Sequence, residues 1–141
     1  MIRKIRPEDY AAVAAFWREY LDVPAASDES VSRTFEKMSE DDRYCTFVAE
    51  EDGLVVGFIT MVEVLSIDDP DGYIKMNGIA VRPEYRHRGI AQQLTERVEL
   101  EARERGASSV GVATSFKRSG SQALLDKLGY TKSAFWFHKI F

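Results

Sequence analysis

The clearest pattern in this sequence is an apolar residue at every third or fourth position through residues 90–102. The apolar positions are Ile90, Ala91, Leu94, Val98 and Ala102. They lie on one helix face, which predicts an amphipathic helix over residues 90–105 with Gly106 as its C-terminal stop. A short apolar run at residues 79–81 predicts the end of a strand, and Pro83 separates the two elements.

The remaining elements follow from the same periods and from turn residues. Strands are predicted at residues 1–5, 43–50, 54–65, 73–81, 109–114 and 133–139. Helices are predicted at residues 7–20, 28–38, 90–105 and 119–128, with Ser27 or Asp28 capping the second. Turns fall at residues 51–53 and 68–72. The order β-α-α-β-β-β-α-β-α-β predicts an α/β fold, with a mixed sheet covered by helices.

The turn before residue 90 has the features of an anion site. The first N–H groups of a helix have no intrahelical acceptor, and the helix dipole adds partial positive charge there. Gly89 permits a ligand to approach the main chain closely, and Arg86, His87 and Arg88 add positive charge. This turn could hold a diphosphate, although an ordinary loop with solvated arginines has the same local composition.

Two segments match the motifs of a known family. Arg86-His87-Arg88-Gly89-Ile90-Ala91 follows a strand ending in Val-x-Pro-x-Tyr, and Leu-Leu-Asp-Lys-Leu-Gly-Tyr occupies residues 124–130. These segments resemble the Arg/Gln-x-x-Gly-x-Gly/Ala signature and the Leu-Tyr-x-Lys-Leu-Gly-Phe block of the GCN5-related N-acetyltransferase (GNAT) family. The resemblance covers nearly the whole chain and implies the GNAT fold, with a mostly antiparallel sheet.

The resemblance implies acetyl-CoA as co-substrate. Residues 86–91 would bind its pyrophosphate, and the backbone at residues 79–81 would pair with the pantetheine arm as an added strand does. Arg118 stands where the family often has Asn, and it could reach a phosphate or the nucleotide. The implied cofactor-binding residues are Ile79, Ala80, Val81, Arg86, His87, Arg88, Gly89, Ile90, Ala91 and Arg118. His87 and His138 lack a metal-ligand pattern with the single cysteine, so no metal site is predicted.

The resemblance also locates the base, and here the sequence departs from the family. Attack of an amine on a thioester calls for a base, an oxyanion donor and an acid for the sulfur. Many family members carry a carboxylate at the position of Asn77, which cannot act as a base and is left a positioning role. Glu63 on the preceding strand is the nearest alternative, and deprotonation through water is the other.

The family's common acid is also missing. Leu125 stands at the position of the tyrosine that lies near the coenzyme sulfur in the family. Tyr130 is a candidate substitute, as are Tyr85 and Ser119, although Tyr130 could equally be a packing residue. A thiolate is already a good leaving group, since a free thiol has a pKa of about 8.5.

Composition narrows the remaining choices. The length of 141 residues suits one domain, residues 1–141. A net charge of −4 argues against a nucleic-acid-binding surface. The single cysteine, Cys45, fits a reducing compartment, and no apolar stretch approaches the roughly 20 residues of a membrane helix. We therefore expect a cytoplasmic protein that binds neither nucleic acid nor membrane.

The acceptor side is implied by the family to lie on the first two helices and the strand turns. Acidic residues there are Asp22, Asp28, Glu29, Asp68, Asp69 and Asp71. With Trp17, Tyr20 and Phe35 nearby, they favour a cationic amine such as a polyamine, an amino sugar or a lysine side chain. Solvated helix caps are the alternative reading of these charges.

Two functions stay open from the sequence. The first is an acyl-CoA-dependent N-acyltransferase that transfers acetyl to a primary amine of a small molecule or peptide. The second is a catalytically weak, regulatory acyl-CoA-binding module, which Asn77 and Leu125 permit. A homodimer is a possible assembly in either case.

Overall fold

The computed structural model describes all residues, 1–141, and contains five strands and four α-helices. The strands are β1 (Ile2–Lys4), β2 (Tyr44–Glu51), β3 (Leu54–Ser66), β4 (Asp69–Val81) and β5 (Val110–Val112). The helices are α1 (Tyr10–Tyr20), α2 (Asp28–Ser39), α3 (Ile90–Glu104) and α4 (Ser119–Lys127). Short 3₁₀ turns, Pro7–Asp9 and Pro83–Tyr85, precede α1 and α3.

The strands form one sheet in the order β1-β2-β3-β4-β5, and the first four are antiparallel to their neighbours. The predicted fold class is therefore confirmed. Two details differ from the sequence predictions. No strand forms at residues 133–139, where the side chains are exposed. The β3–β4 hairpin also extends further than predicted, because β4 begins at Asp69, within the turn predicted at residues 68–72. A bulge accommodates these residues, and Gly72 adopts φ 75° there.

Helices cover both faces of the sheet. Trp17 and Phe16 of α1 pack on Phe58 of β3, with ring centroids 5.8 and 5.6 Å away. Side chains alternate between the faces of a strand, so Gly57, next to Phe58, faces the other side, where Leu94 of α3 approaches it. The helix pair α1–α2 therefore lies on one face of the sheet, and α3 lies on the other.

Local sequence explains where α2 begins and where α3 ends. Ser27 accepts a hydrogen bond from the Ser30 N–H at 3.0 Å and caps α2, as one of the two predicted caps. At the end of α3, Gly106 adopts φ 74° and its N–H donates to the Arg103 carbonyl at 3.1 Å. This left-handed glycine ends the helix at the predicted place.

The chain divides into two compact units, Met1–Gly111 and Val112–Phe141. The first unit holds α1, α2, α3 and four complete strands. The second holds α4 and a C-terminal tail, residues 131–141, in which no helix or strand forms. The single domain predicted from chain length stays a prediction. Across the whole chain, the longest helix has 15 residues, and none could span a bilayer.

Candidate active site

The turn before α3 exposes the backbone at a helix start. Arg86, His87, Arg88 and Gly89 are all exposed, and Ile90, 5% exposed, anchors the first helical turn in the core. Gly89 is the N-cap in a left-handed conformation with φ 80°, and no side chain caps the helix. The N–H groups of the first turn of α3 can therefore donate hydrogen bonds to a bound anion.

His87 also has a left-handed backbone, with φ 61°. A left-handed non-glycine residue is uncommon and strained, and it persists only where its surroundings impose it. Successive residues of such turns point their N–H groups into one concavity, which is the geometry of anion-binding nests. Two left-handed residues, His87 and Gly89, therefore shape this turn.

The arginines around the turn have different fixed positions. The Arg86 guanidinium donates from Nε to the Val81 carbonyl at 3.0 Å, and its Cζ lies 5.7 Å from the Tyr20 ring centroid. Arg88 lies over Tyr85, with Cζ 5.0 Å from the ring centroid. Both side chains are held beside the turn by aromatic contacts while their outer N–H groups face solvent. The turn therefore has a preformed positive rim.

The end of β4 presents a backbone edge next to this turn. Ile79, Ala80 and Val81 pair with β3 on one side. On the other side, the Ile74 N–H donates to the Ser109 carbonyl at 2.9 Å, and Ser108 donates to Gly72 at 2.8 Å. Ser108 pairs with Gly72 and Ser109 with Ile74, so the residue numbers rise in the same direction on both segments. β5 therefore runs parallel to the first half of β4, and it ends at Val112. The last residues of β4 lie beyond it.

Asn77 is the extra residue of a β-bulge in β4. Thr60 pairs with Gly78 and Met61 with Met76, so two residues of β3 oppose three of β4. A bulge leaves its extra residue outside the ladder and redirects the side chain. Asn77 is exposed and borders a cavity, at the position where the family commonly has a carboxylate.

The α1–α2 cavity lies between those two helices and the sheet and has a volume of about 410 Å³. Its apolar wall is formed by Trp17, Val23, Val31, Phe35 and Met38. Its polar border is formed by Tyr44, Thr60 and Asn77. No charged residue lines it, so the acidic residues predicted on the acceptor side lie elsewhere.

Glu63 is not brought to this cavity. It lies three residues after Thr60 on β3, and alternation places it on the α3 face of the sheet. There its Oε1 lies 3.9 Å from Nη1 of Arg105 at the end of α3. The geometry disfavours Glu63 as the base for an amine in the cavity, and the role remains a prediction.

The other predicted side chains belong to the second unit. The Tyr130 N–H donates to the Leu125 carbonyl at 2.9 Å, behind the left-handed Gly129 that ends α4. Arg118 is the N-cap of α4, where its carbonyl accepts from the Gln122 N–H at 3.2 Å. Both residues have evident helix-terminal positions, and their catalytic and nucleotide roles stay predictions.

Sequence reasoning named Trp17, Phe35 and Asn77 but missed how they combine. The missed residues are Thr60 and Tyr44 of the neighbouring strands and Val31 and Met38 of α2 as lining. A Cβ added to Gly78 would lie 2.7 Å from the Trp17 ring, so the absent side chain is what admits the ring. A glycine beside the bulge was the available signal.

His, Cys and acidic side chains form no group of three that could hold a metal ion.

Comparison with known proteins places these features in a family context. Residues 10–130 match the model of the acetyltransferase (GNAT) family. Human N-acetyltransferase 8 is 32% identical over 121 residues, which are 83% of this chain and 51% of that protein. An aminoglycoside N(6')-acetyltransferase type 1 of Salmonella typhimurium is 26% identical over 113 residues, 78% of each chain. The chain thus spans about half the length of the human relative.

Solved structures share the fold. A transcriptional regulator from Bacillus halodurans C-125 has a TM-score of 0.90 and 19% identity, with 100% of this chain and 99% of that chain covered. AAC(6')-Iy, in complex with the bisubstrate analog CoA-S-monomethyl-acetylneamine, has a TM-score of 0.83 and 22% identity over 99% and 97% of the chains. At these identities the likeness concerns the fold alone.

Proposed function

Because the chain belongs to the acetyltransferase (GNAT) family, we propose that it transfers the acetyl group of acetyl-CoA to a primary amine of a small molecule or peptide. The observation that carries this proposal is the exposed, uncapped start of α3 behind Gly89. Relatives named as acetyltransferases, and a neighbouring structure in complex with CoA, support it.

The start of α3 suits the pyrophosphate of CoA. Two adjacent phosphates need several donors at close range, and the N–H groups of residues 89–91 supply them without a side chain in the way. Arg86 and Arg88 add charge-assisted donors at the rim, fixed by Tyr20 and Tyr85. The backbone of Ile79, Ala80 and Val81, beyond the end of β5, would pair with the amides of the pantetheine arm.

The reaction itself asks little of charged side chains. The amine nitrogen forms a bond to the acetyl carbonyl carbon, the C–S bond breaks, and CoA leaves as a thiolate. The ammonium proton goes to water, since Asn77 cannot accept it and no carboxylate lines the cavity. Asn77 orients the neutral amine through its carboxamide.

The test is release of the CoA thiol from acetyl-CoA in the presence of primary amines, measured beside acetyl-CoA binding alone. Release that depends on the amine supports acetyl transfer. Tight binding without release, across amines and peptides, would leave the regulatory CoA-binding module as the function.

We also propose that the protein acts as a homodimer. The tail carries Phe135, Trp136, Phe137, Ile140 and Phe141 as exposed side chains. Several large apolar side chains exposed within one short segment indicate an interaction site. The strand β5 is the last in the sheet order, and an unpaired strand edge is a template for an added strand.

Charge favours a second copy as the partner. The only charged side chains of the tail are Lys132 and Lys139, so residues 1–130 carry a net charge of −6 where the whole chain carries −4. In the proposed dimer, a basic, aromatic tail would meet the acidic residues 1–130 of a second molecule. In the proposed dimer, the tail of one copy adds to the sheet edge of the other.

A further inference from the structure

The wall of the α1–α2 cavity is neutral throughout. Its lining consists of apolar and aromatic side chains together with hydroxyls and the Asn77 carboxamide. The neighbouring charges point elsewhere: Asp28 binds Arg18 at 2.9 Å, and Glu29 lies 3.9 Å from Arg33 on the helix surface. A ligand that enters the cavity therefore meets no counter-ion in its lining.

The cavity is held open by ordered packing. Phe35 stacks on Tyr10 with centroids 4.9 Å apart and planes 13° from parallel. Trp17 is held between Phe58 and the bare backbone of Gly78. On the floor, the hydroxyls of Thr60 and Thr46 form a buried hydrogen bond of 2.8 Å. Because these contacts already exist, little ordering accompanies ligand entry.

The cavity has a carboxamide on its β4 side. Asn77 borders it from the bulge, two residues before Ile79, the first of the residues proposed to hold the pantetheine arm. An amine at this end is next to the thioester, and the rest of the acceptor extends between α1 and α2. The volume of about 410 Å³ falls in the range of roughly 300–1,000 Å³ found for small-molecule sites.

We infer that the acceptor is a monoamine whose amine carries an apolar or aromatic group, and that polycationic amines are poor substrates. The inference rests on the proposed acetyl transfer, and it names the class of acceptor. Burial of an alkyl or aryl group gains the hydrophobic free energy of the cavity wall. A second ammonium against the buried part of the wall, at Ala26 and Phe35, would lose water with no carboxylate to pair with it.

This differs from the cationic acceptor expected from the acidic residues of the sequence, none of which lines the cavity. It also separates the chain from what the name of the Salmonella typhimurium relative says, since aminoglycosides carry several ammonium groups. Aromatic rings can attract a cation over an open face. One face of Phe35 is covered by Tyr10, and the Trp17 ring contacts Phe58, so the rings serve mainly as apolar wall.

The test uses a homologous series of linear amines with acetyl-CoA. From propylamine to hexylamine, kcat/KM should rise about fourfold for each methylene added, the factor expected for a buried CH₂ group. Hexylamine and 1,5-diaminopentane have the same length and differ only in a terminal methyl against a terminal ammonium. Hexylamine should be the better substrate by more than tenfold, and an equal or better kcat/KM for the diamine or for an aminoglycoside would overturn the inference.

A charge placed in the wall should change this preference. Thr34 lines the cavity from the exposed side of α2, so Thr34→Asp adds a carboxylate there with little change in volume. The variant should favour 1,5-diaminopentane over hexylamine, while Thr34→Asn, the uncharged match, should keep the wild-type preference. An unchanged preference in Thr34→Asp, with a folded protein, would contradict the placement of the acceptor in this cavity.

Binding without turnover separates this inference from the proposed function. Trp17 and Trp136 are the two tryptophans, so Trp136→Phe leaves only the cavity tryptophan to report by fluorescence. Saturable quenching by hexylamine and none by 1,5-diaminopentane would support the cavity assignment even if no thiol were released. Thiol release failing with every amine would then count against acetyl transfer alone, and stronger quenching by the diamine would overturn the cavity assignment.

Discussion

At the scale of single residues, the site depends on where side chains are absent. Gly89 leaves the start of α3 open, and Gly78 leaves room for the Trp17 ring against β4. Asn77, next to Gly78 in β4, has a neutral side chain where the family commonly has a carboxylate. The proposed function thus combines a main-chain anion site with a cavity whose lining holds no carboxylate.

Glu63→Gln tests whether the acid-base chemistry is carried by a side chain. Because Glu63 faces Arg105 and not the cavity, the variant should keep the wild-type pH–rate profile, which should follow ionisation of the amine. Asn77→Ala, the contrasting variant at the cavity, should lower turnover through loss of positioning. A fall of about 10²- to 10⁴-fold in Glu63→Gln, the size of general-base catalysis, would restore Glu63 as the base.

At the scale of elements, a buried ion pair joins β1 to the start of α1. The Asp9 carboxylate accepts from Arg3 at 2.7 and 3.0 Å and from the Arg6 N–H at 2.8 Å, and Arg3 also binds Glu50 of β2 at 3.2 Å. Burial by itself raises the pKa of Asp9, but the hydrogen bonds from Arg3 and Arg6 outweigh it, and the pKa is lowered. The first strand is thereby fixed to the helix that carries Trp17.

Asp9→Asn should lower the free energy of unfolding by about 3 kcal/mol at pH 7, because the partly buried Arg3 loses its two-bond carboxylate partner and keeps only the longer contact with Glu50. A lowered folded-state pKa means that the stabilisation is full above the unfolded value of about 3.9 and is lost as the pH falls through the folded value. Urea unfolding should show the difference from wild type shrinking between about pH 5 and pH 2.

Asp28→Asn is the matched control, since Asp28 pairs with Arg18 at the surface. Its cost should stay below about 1 kcal/mol, as for exposed pairs. Equal stability losses in the two variants, or an Asp9→Asn loss that does not change with pH, would contradict the account of the buried pair.

At the scale of the whole molecule, the proposed dimer depends on the tail. Wild-type protein should sediment as a dimer, and the double variant Phe135→Asp/Phe137→Asp should sediment as a monomer, because two charges cannot enter an apolar strand interface. Phe116→Asp is the control: Phe116 is 93% exposed but lies outside the tail, so this variant should stay dimeric. A monomeric wild type, or a dimeric double variant, would overturn the proposed assembly.

Prediction from sequence succeeded where the signal is local. The apolar period through Leu94 and Val98, with Gly89 before it and Gly106 after it, located α3 and the turn before it without any knowledge of the sheet. Anion binding at that turn stays a prediction. The first two helices and the central hairpin were located in the same way. The cytoplasmic location expected from the lone Cys45, which is buried and free, stays a prediction.

Prediction was weakest for features that depend on contacts between segments distant in the sequence. The face of Glu63 depends on its parity relative to Thr60 on β3, and the bulge at Asn77 appears only when β3 and β4 are paired. The cavity needs α1, α2 and the sheet together. The apolar residues of the tail have strand composition, but a strand also needs a neighbour to pair with, and no strand forms in the tail.

The most direct test of the central claim is calorimetric titration of acetyl-CoA into wild type, Gly89→Asp and Gly106→Asp. Both glycines are left-handed residues at the ends of α3, with φ 80° and 74°, so both variants carry the same backbone strain and the same added charge. Gly89→Asp should bind about ten- to a hundredfold more weakly, the size of one lost hydrogen bond to a charged group, and Gly106→Asp should bind as wild type does. Unchanged affinity in a folded Gly89→Asp protein would contradict the claim that the start of α3 holds the pyrophosphate.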